Sequence, residues 1–230
     1  MSEFFAGSSY FGVSITLLFF ALGLALKKKF NWALLNPLLV ASALTIALLL
    51  ALDIDYDSYN ASASCLSYLL TPATVCLAIP LYQNLSILRK NIAAILCGIF
   101  SGVVANIALM LLLAVVFGLS HQQYVTLLPK SITTAIGMGV SQELGGTVSL
   151  TIAVIILTGI FANISAEFVF RLFCVKDPVA KGVALGTAGH AIGTSKATEL
   201  GKTEGAVSSL AIAVTGLISV VMISLAAGLV

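Results

Sequence analysis

Ala135-Ile-Gly-Met-Gly-Val-Ser-Gln-Glu-Leu-Gly-Gly-Thr147 is written twice in this chain, returning as Ala191-Ile-Gly-Thr-Ser-Lys-Ala-Thr-Glu-Leu-Gly-Lys-Thr203. Seven of the thirteen positions are identical. Unrelated segments of this composition share roughly one position, so the chain carries an internal duplication. Each copy is rich in Gly, Ser and Thr, holds a glutamate, and runs at once into a long apolar stretch. Duplicated polar segments interrupted by glycine, set between membrane helices, are the best sequence pointer to a transporter's binding site.

Composition sets the class around that repeat. Hydrophobic residues make up 60% and charged residues 9% of the 230, and the mean hydropathy is +1.12. Soluble domains carry about 25% charged residues, and this chain could not cover itself with polar surface. The expectation is an all-α polytopic membrane protein in which residues 1–230 form a single integral membrane domain. A net charge of +2 gives no sign of nucleic-acid binding. Cys65, Cys76, Cys97 and Cys174 have no metal-ligand spacing and read as small core residues. No metal and no cofactor are expected. Phe4 to Leu26 is long enough to span, and no small-residue cleavage site follows it.

A bilayer core about 30 Å thick needs about 20 apolar residues. Phe4–Leu26, Leu34–Leu52, Ile92–Leu119, Val148–Phe170 and Ala206–Val230 satisfy this, and Ala61–Leu88, Gln123–Gly146 and Val179–Gly205 are less uniform. Lys27-Lys28-Lys29 places the first loop in the cytoplasm and the N-terminus outside. Keeping Arg89-Lys90 inside requires Ala61–Leu88 to cross, despite Thr71-Pro72 and Pro80. Keeping Arg171, Lys176 and Lys181 inside requires Gln123–Gly146 to start and finish outside and Val179–Gly205 to start and finish inside. The architecture expected is about six full transmembrane helices plus two opposed re-entrant hairpins in an inverted repeat. Its parts are a two-helix scaffold (1–60), a broken helix and span (61–122), a hairpin plus helix (123–175) and the inverted hairpin plus helix (176–230). The rival topology has eight crossings and strands those three basic residues outside. A fainter echo lies upstream: Pro72, Gly102 and Asn106 precede Pro129, Gly159 and Asn163 by a constant 57 residues.

Non-helical backbone at membrane depth survives only where protein buries it or it lines a watery cavity. Gly137, Gly139, Gly145 and Gly146, and Gly186, Gly189, Gly193, Gly201 and Gly205, are where helix would break. Helix N-termini freed there concentrate partial positive charge and suit a small anion. The substrate-binding candidates are Ser131, Thr133, Thr134 and Gly137 in one copy, and Thr187, Gly189, His190, Gly193, Thr194 and Ser195 in the other. The competing account is close helix packing with hydroxyls satisfied on their own backbone. Intramembrane charges are costly and usually functional, so Glu143, Glu199, Lys196 and His190 are candidates for coupling or charge compensation. Glu143 and Glu199 could equally cap a hairpin arm, and Lys196 could pair with Glu199 three residues on. Lys130 either marks the membrane edge or attracts an anion. Asn106 and Asn163 either tie helices together or reach the site, and Pro72 is structural. No nucleophile elbow, zinc motif or P-loop is present, so no catalytic residue is expected.

Pro129-Lys-Ser-Ile-Thr-Thr-Ala-Ile-Gly137, Glu143-Leu-Gly-Gly146, Ala184-Leu-Gly-Thr-Ala-Gly-His-Ala-Ile-Gly-Thr194 and Glu199-Leu-Gly-Lys-Thr-Glu-Gly-Ala206 resemble the LrgB/CidB family of bacterial membrane proteins. So do Asn36-Pro37-Leu38, Thr71-Pro72-Ala73-Thr74 and Ala78-Ile79-Pro80-Leu81-Tyr82. Family members often carry a small or hydroxyl residue where Lys196 stands, or an Arg close by. The resemblance implies a protein of the bacterial cytoplasmic (inner) membrane. It offers antiholin-like regulation of murein hydrolase activity and cell lysis with an LrgA/CidA-type partner. It also offers carriage of small carboxylates such as pyruvate, and a related plastid protein moves glycolate and glycerate. The expectation is a secondary transporter of small monocarboxylates (pyruvate-, lactate- or glycolate-like), proton-coupled and elevator-like, with its site between the hairpins. A homo-oligomer, a dimer, is expected.

Overall fold

The run from Ile92 to Phe117 is almost wholly Ile, Leu, Val and Ala, and it forms a single helix of 26 residues. In the computed structural model of the protein, residues 10–30, 35, 37–69, 72, 75–76, 78–83 and 85–230 are described. Their helices are α1 (Phe11–Phe30), α2 (Pro37–Leu52), α3 (Tyr56–Tyr68), α4 (Ala78–Gln83), α5 (Leu85–Lys90), α6 (Ile92–Phe117), α7 (His121–Leu127), α8 (Thr134–Glu143), α9 (Val148–Leu172), α10 (Pro178–Leu200) and α11 (Lys202–Ala226). A 3-10 turn, Ala227–Leu229, extends α11.

Helices α1, α6 and α9, and α11 with its 3-10 turn, are long and apolar enough to cross a membrane; α2 is a shorter apolar helix of 16 residues. This is a multi-pass membrane protein. The crossing expected over Ala61–Leu88 is not one helix among the described residues. Its start belongs to α3, whose sequence is largely polar, and α4 and α5 have six residues each. Thr71 lies outside the described residues, as do residues 4–9 of the first expected span.

The described chain forms two compact units, Met1–Cys76 and Leu77–Val230. In the first, α1 packs on α2 and α3. Gly12 lets α3 approach closely: its N–H donates to Ser62 Oγ (2.9 Å), and Thr16 Oγ1 meets the Tyr59 hydroxyl at 2.7 Å. The cysteines correct the core expectation. All four are free and exposed; Cys97 lies on α6, long and apolar enough to cross a membrane, where an exposed position faces acyl chains.

The second unit is organised by two reversals of the chain. Asp177 caps α10, its Oδ1 accepting from Ala180 N (2.9 Å), and Pro178 follows at the first helical position. Such caps contribute about 1 kcal/mol. The helix then turns back on itself at His190, φ 42° and ψ −133°. In a straight helix residues 185 and 193 would be about 12 Å apart. Here a Cβ on Gly193 would collide with the carbonyl oxygen of Leu185, so residues 178–189 and 191–200 lie side by side. Ser208 of α11 touches both arms. A Cβ on Gly186 would sit 2.5 Å from its carbonyl oxygen, and its hydroxyl is 2.6 Å from Thr194 Oγ1. The free ends of both arms meet α9 near Phe170: Lys181 lies over that ring at 6.0 Å, and Leu200 packs in the same cluster.

The other pair is α7 and α8, joined through residues 128–133. Gly118 ends α6 in the left-handed region (φ 61°), and Ser120 with Gln123 forms a capping box that starts α7. The end of α7 next to the turn, at Thr126, and the far end of α8, at Ser141, are both tied to the start of α9. Thr147 N donates to Thr126 Oγ1 (2.8 Å), while the Thr151 hydroxyl donates to the Thr126 carbonyl (2.8 Å) and meets Ser141 Oγ at 2.7 Å. Further along α9, Ile155 meets both pairs. Its Cδ1 fills the space beside Gly137, and its carbonyl lies 2.9 Å from His190 Nε2.

Candidate functional site

Ser131 and Thr187 are separated by the same 56 residues that separate Ala135 from Ala191, so they are equivalent in the duplication. Both line one cavity of about 760 Å³ within the second unit. Ser131 comes from the turn between α7 and α8, and Thr187 from the last turn of α10 before its reversal. The repeat therefore delivers one hydroxyl from each helix pair to one space.

The other walls come from α6 and α11. Asn106 of α6 accepts from the Ser131 hydroxyl through Oδ1 (3.3 Å) and donates from Nδ2 to the Leu128 carbonyl (3.4 Å). Thr215 of α11 donates to Thr187 Oγ1 at 3.3 Å, and Ser219 lies one turn further along the lining face. Lys130 donates from Nζ to Ser131 Oγ (3.3 Å) and also lines the cavity. Gly98 and Gly102 open the α6 wall: a Cβ on Gly102 would press on Thr187 Cγ2 at 2.8 Å. Much of the wall is apolar, with a few convergent polar groups, the usual make-up of a small-molecule site. An ammonium, an amide and several hydroxyls offer donors and acceptors along its polar wall.

The remaining sequence candidates fall elsewhere. Thr133 caps α8 without a side-chain bond, Thr134 begins that helix, and Gly137 packs on Ile155. Gly189 and His190 are buried at the reversal, where Gly189 abuts Ala162 and the His190 ring is held by the Ile155 carbonyl. Gly193 and Thr194 serve the packing of the two arms and α11, and Ser195 is exposed. Glu143 and Glu199 are both exposed, and neither lines the cavity. Lys196 is held at 2.7 Å by Glu167 of α9 and at 3.5 Å by Glu199. Asn163 ties α9 to the second arm through Ile192 O (3.2 Å). Its partner in the 57-residue echo, Asn106, does both things considered for it: it ties a helix to a turn and it lines the site. Pro72 belongs to the first unit and is exposed. Among the described residues no cluster of His, Cys, Asp and Glu could hold a metal ion.

Thr215 and Ser219 were not singled out as site residues. They lie four apart inside an apolar run, the spacing that puts two side chains on one helix face. Hydroxyls at that spacing in an otherwise aliphatic span are the signal that finds them. Asp177 and Asn91, at the far end of the cavity, read in sequence only as helix-end residues.

A family model described as the LrgB-like family matches residues 16–229. The holin-like protein CidB of Staphylococcus epidermidis is 39% identical over 211 residues, covering 92% of each chain. That of Staphylococcus aureus is 38% identical, with the same coverage. The antiholin-like protein LrgB of Bacillus mycoides is 34% identical over 215 residues, covering 93% of this chain and 94% of its own. No solved structure matches the chain.

Proposed function

The chain belongs to the LrgB-like family, and on that premise we propose that it is a membrane carrier of small monocarboxylates of the pyruvate, lactate or glycolate kind. The observation that carries this reading is the cavity of about 760 Å³ lined from both copies of the duplication, with Lys130, Ser131, Asn106, Thr187 and Thr215 on its polar wall.

In this reading the two helix pairs are re-entrant hairpins that enter from opposite faces of the bacterial cytoplasmic membrane, with the N-terminus outside. Their lengths support it. Helices α7 and α8 have 7 and 10 residues, which rise about 10 and 15 Å, roughly a third and a half of a hydrocarbon core about 30 Å thick. The side-by-side arms of α10 bring its two ends together near Phe170, as a hairpin entering from one face requires. His190 is the candidate for proton coupling, and the carrier is a homodimer.

A second reading is regulation of murein hydrolase activity and cell lysis with an LrgA/CidA-type partner. The names of the relatives, holin-like and antiholin-like, speak for it more directly than any of them speaks for a carrier. The two readings part in one experiment: uptake of radiolabelled pyruvate, lactate and glycolate into proteoliposomes, with and without an LrgA-type partner, beside a lysis assay in cells. The carrier reading expects saturable uptake. Absence of uptake in every arm, together with a lysis phenotype that survives Thr187→Val, would establish the regulator instead.

A further inference from the structure

The duplication supplies its hydroxyls twice but its cation once. Ser131 has Thr187 as counterpart, and both line the cavity. The counterpart of Lys130 is Gly186, where a Cβ would lie 2.5 Å from the Ser208 carbonyl oxygen and 2.7 Å from Ala211 Cβ. No side chain fits there. The second copy therefore cannot return a lysine to the site.

We infer that Lys130 is the selectivity residue of this cavity and restricts it to singly charged anions. The inference rests on the proposal that the cavity is a solute site. An ammonium carries three donors, and the bond to Ser131 Oγ at 3.3 Å engages one. Among the described residues no carboxylate lies within ion-pair reach of it. The acid on the same cavity, Asp177, is engaged at the other end as the cap of α10, with Oδ1 on Ala180 N. It stands ten residues before Thr187, about 15 Å back along the arm. A lysine so placed is a positive charge waiting for a mobile negative one, since charge at membrane depth is costly without a partner.

One cation compensates one carboxylate. A dicarboxylate would leave its second charge without a cationic partner among Gly98, Gly102, Thr187 and Ser219, which is costly at membrane depth. A neutral solute would leave the lysine uncompensated. The hydroxyls of Ser131, Thr187 and Thr215 and the amide of Asn106 suit a keto or hydroxyl oxygen next to the carboxylate, because each can donate or accept.

The test compares the wild type with Lys130→Gln and Lys130→Arg, using pyruvate, malonate and glycerol as probes. Binding is read as the ligand-induced rise in thermal unfolding temperature of the purified protein, and transport as proteoliposome uptake. Pyruvate should stabilise the wild type, with malonate and glycerol without effect. Loss of one charge-assisted contact should weaken pyruvate binding about tenfold or more in Lys130→Gln, and Lys130→Arg should keep most of it. Uptake that persists unchanged in Lys130→Gln, or malonate binding as strong as pyruvate, overturns the inference and leaves the carrier reading standing. Lysine-dependent pyruvate binding without uptake upholds the inference and removes the carrier reading. No pyruvate effect on the wild type in either assay overturns both. If Lys130→Gln does not purify as a folded protein, the decision passes to the wild-type discrimination between pyruvate and malonate and to Lys130→Arg.

Discussion

His190 holds a backbone conformation, φ 42° and ψ −133°, that residues other than glycine adopt at a cost of about 1–3 kcal/mol. Its ring offsets part of that cost through the buried contact with the Ile155 carbonyl at 2.9 Å. Two substitutions separate these terms. His190→Ala keeps the strain and loses the bond, and should lower stability by about 1–2 kcal/mol. His190→Gly loses the bond but releases the strain, so it should unfold at a higher temperature than His190→Ala in the same detergent. Equal melting temperatures for the two would mean that the conformation stores no strain. Gly193 gives a second test, because Leu185 occupies the place of its Cβ. Gly193→Val should destabilise by about 1–3 kcal/mol in a thermal unfolding assay. The glutamates are the most visible part of the repeat, yet Glu143 and Glu199 end up exposed at helix ends, away from the cavity. A repeated residue announces common descent of two segments. It does not say which of its atoms meets a ligand.

At the scale of elements, the two helix pairs were legible because glycine, hydroxyl and proline residues interrupt otherwise apolar sequence where the chain turns. The turn between α7 and α8 contains Pro129, and the reversal of α10 falls in Thr187-Ala-Gly-His-Ala-Ile-Gly193. Less legible was the region after α2, where polar α3 and six-residue α4 and α5 replace an expected span; short broken helices have no periodicity to read. The pairing of the arms makes a topological prediction. In a background with Cys65, Cys76, Cys97 and Cys174 changed to Ser, Lys181→Cys and Lys202→Cys should label with an impermeant thiol reagent from the cytoplasmic face only. Gln122→Cys and Gln142→Cys should label only from outside. Labelling of the first two from opposite faces would return the chain to the eight-crossing topology. The ion pair of Lys196 with Glu167 links α9 to the second arm, but Glu167 is 48% exposed. A double-mutant cycle on the pair should give no more than about 1 kcal/mol.

Across the whole molecule, apolar surface faces outward. Large hydrophobic residues such as Phe20, Leu50, Leu112, Phe161, Leu217 and Leu225 are exposed, as a bilayer solvent allows and water does not. Inside the second unit a buried apolar core that includes Ile95, Ile99, Val125 and Val207 surrounds few polar groups. Polar groups gather at the cavity, where Ser131, Thr187 and Thr215 are buried. Family membership brings holin-like and antiholin-like relatives; the cavity is what the proposed carrier reading rests on. Whether one solute meets both halves of the duplication is decided most directly by substrate protection. Single-cysteine Ser131→Cys and Thr187→Cys proteins, reconstituted in liposomes, are reacted with a small thiol reagent with and without saturating pyruvate. Pyruvate should slow labelling of both cysteines, and should leave a single cysteine at the remote Ser165 unaffected. Labelling rates at Ser131→Cys and Thr187→Cys that do not change with pyruvate would contradict a solute site built by the two helix pairs.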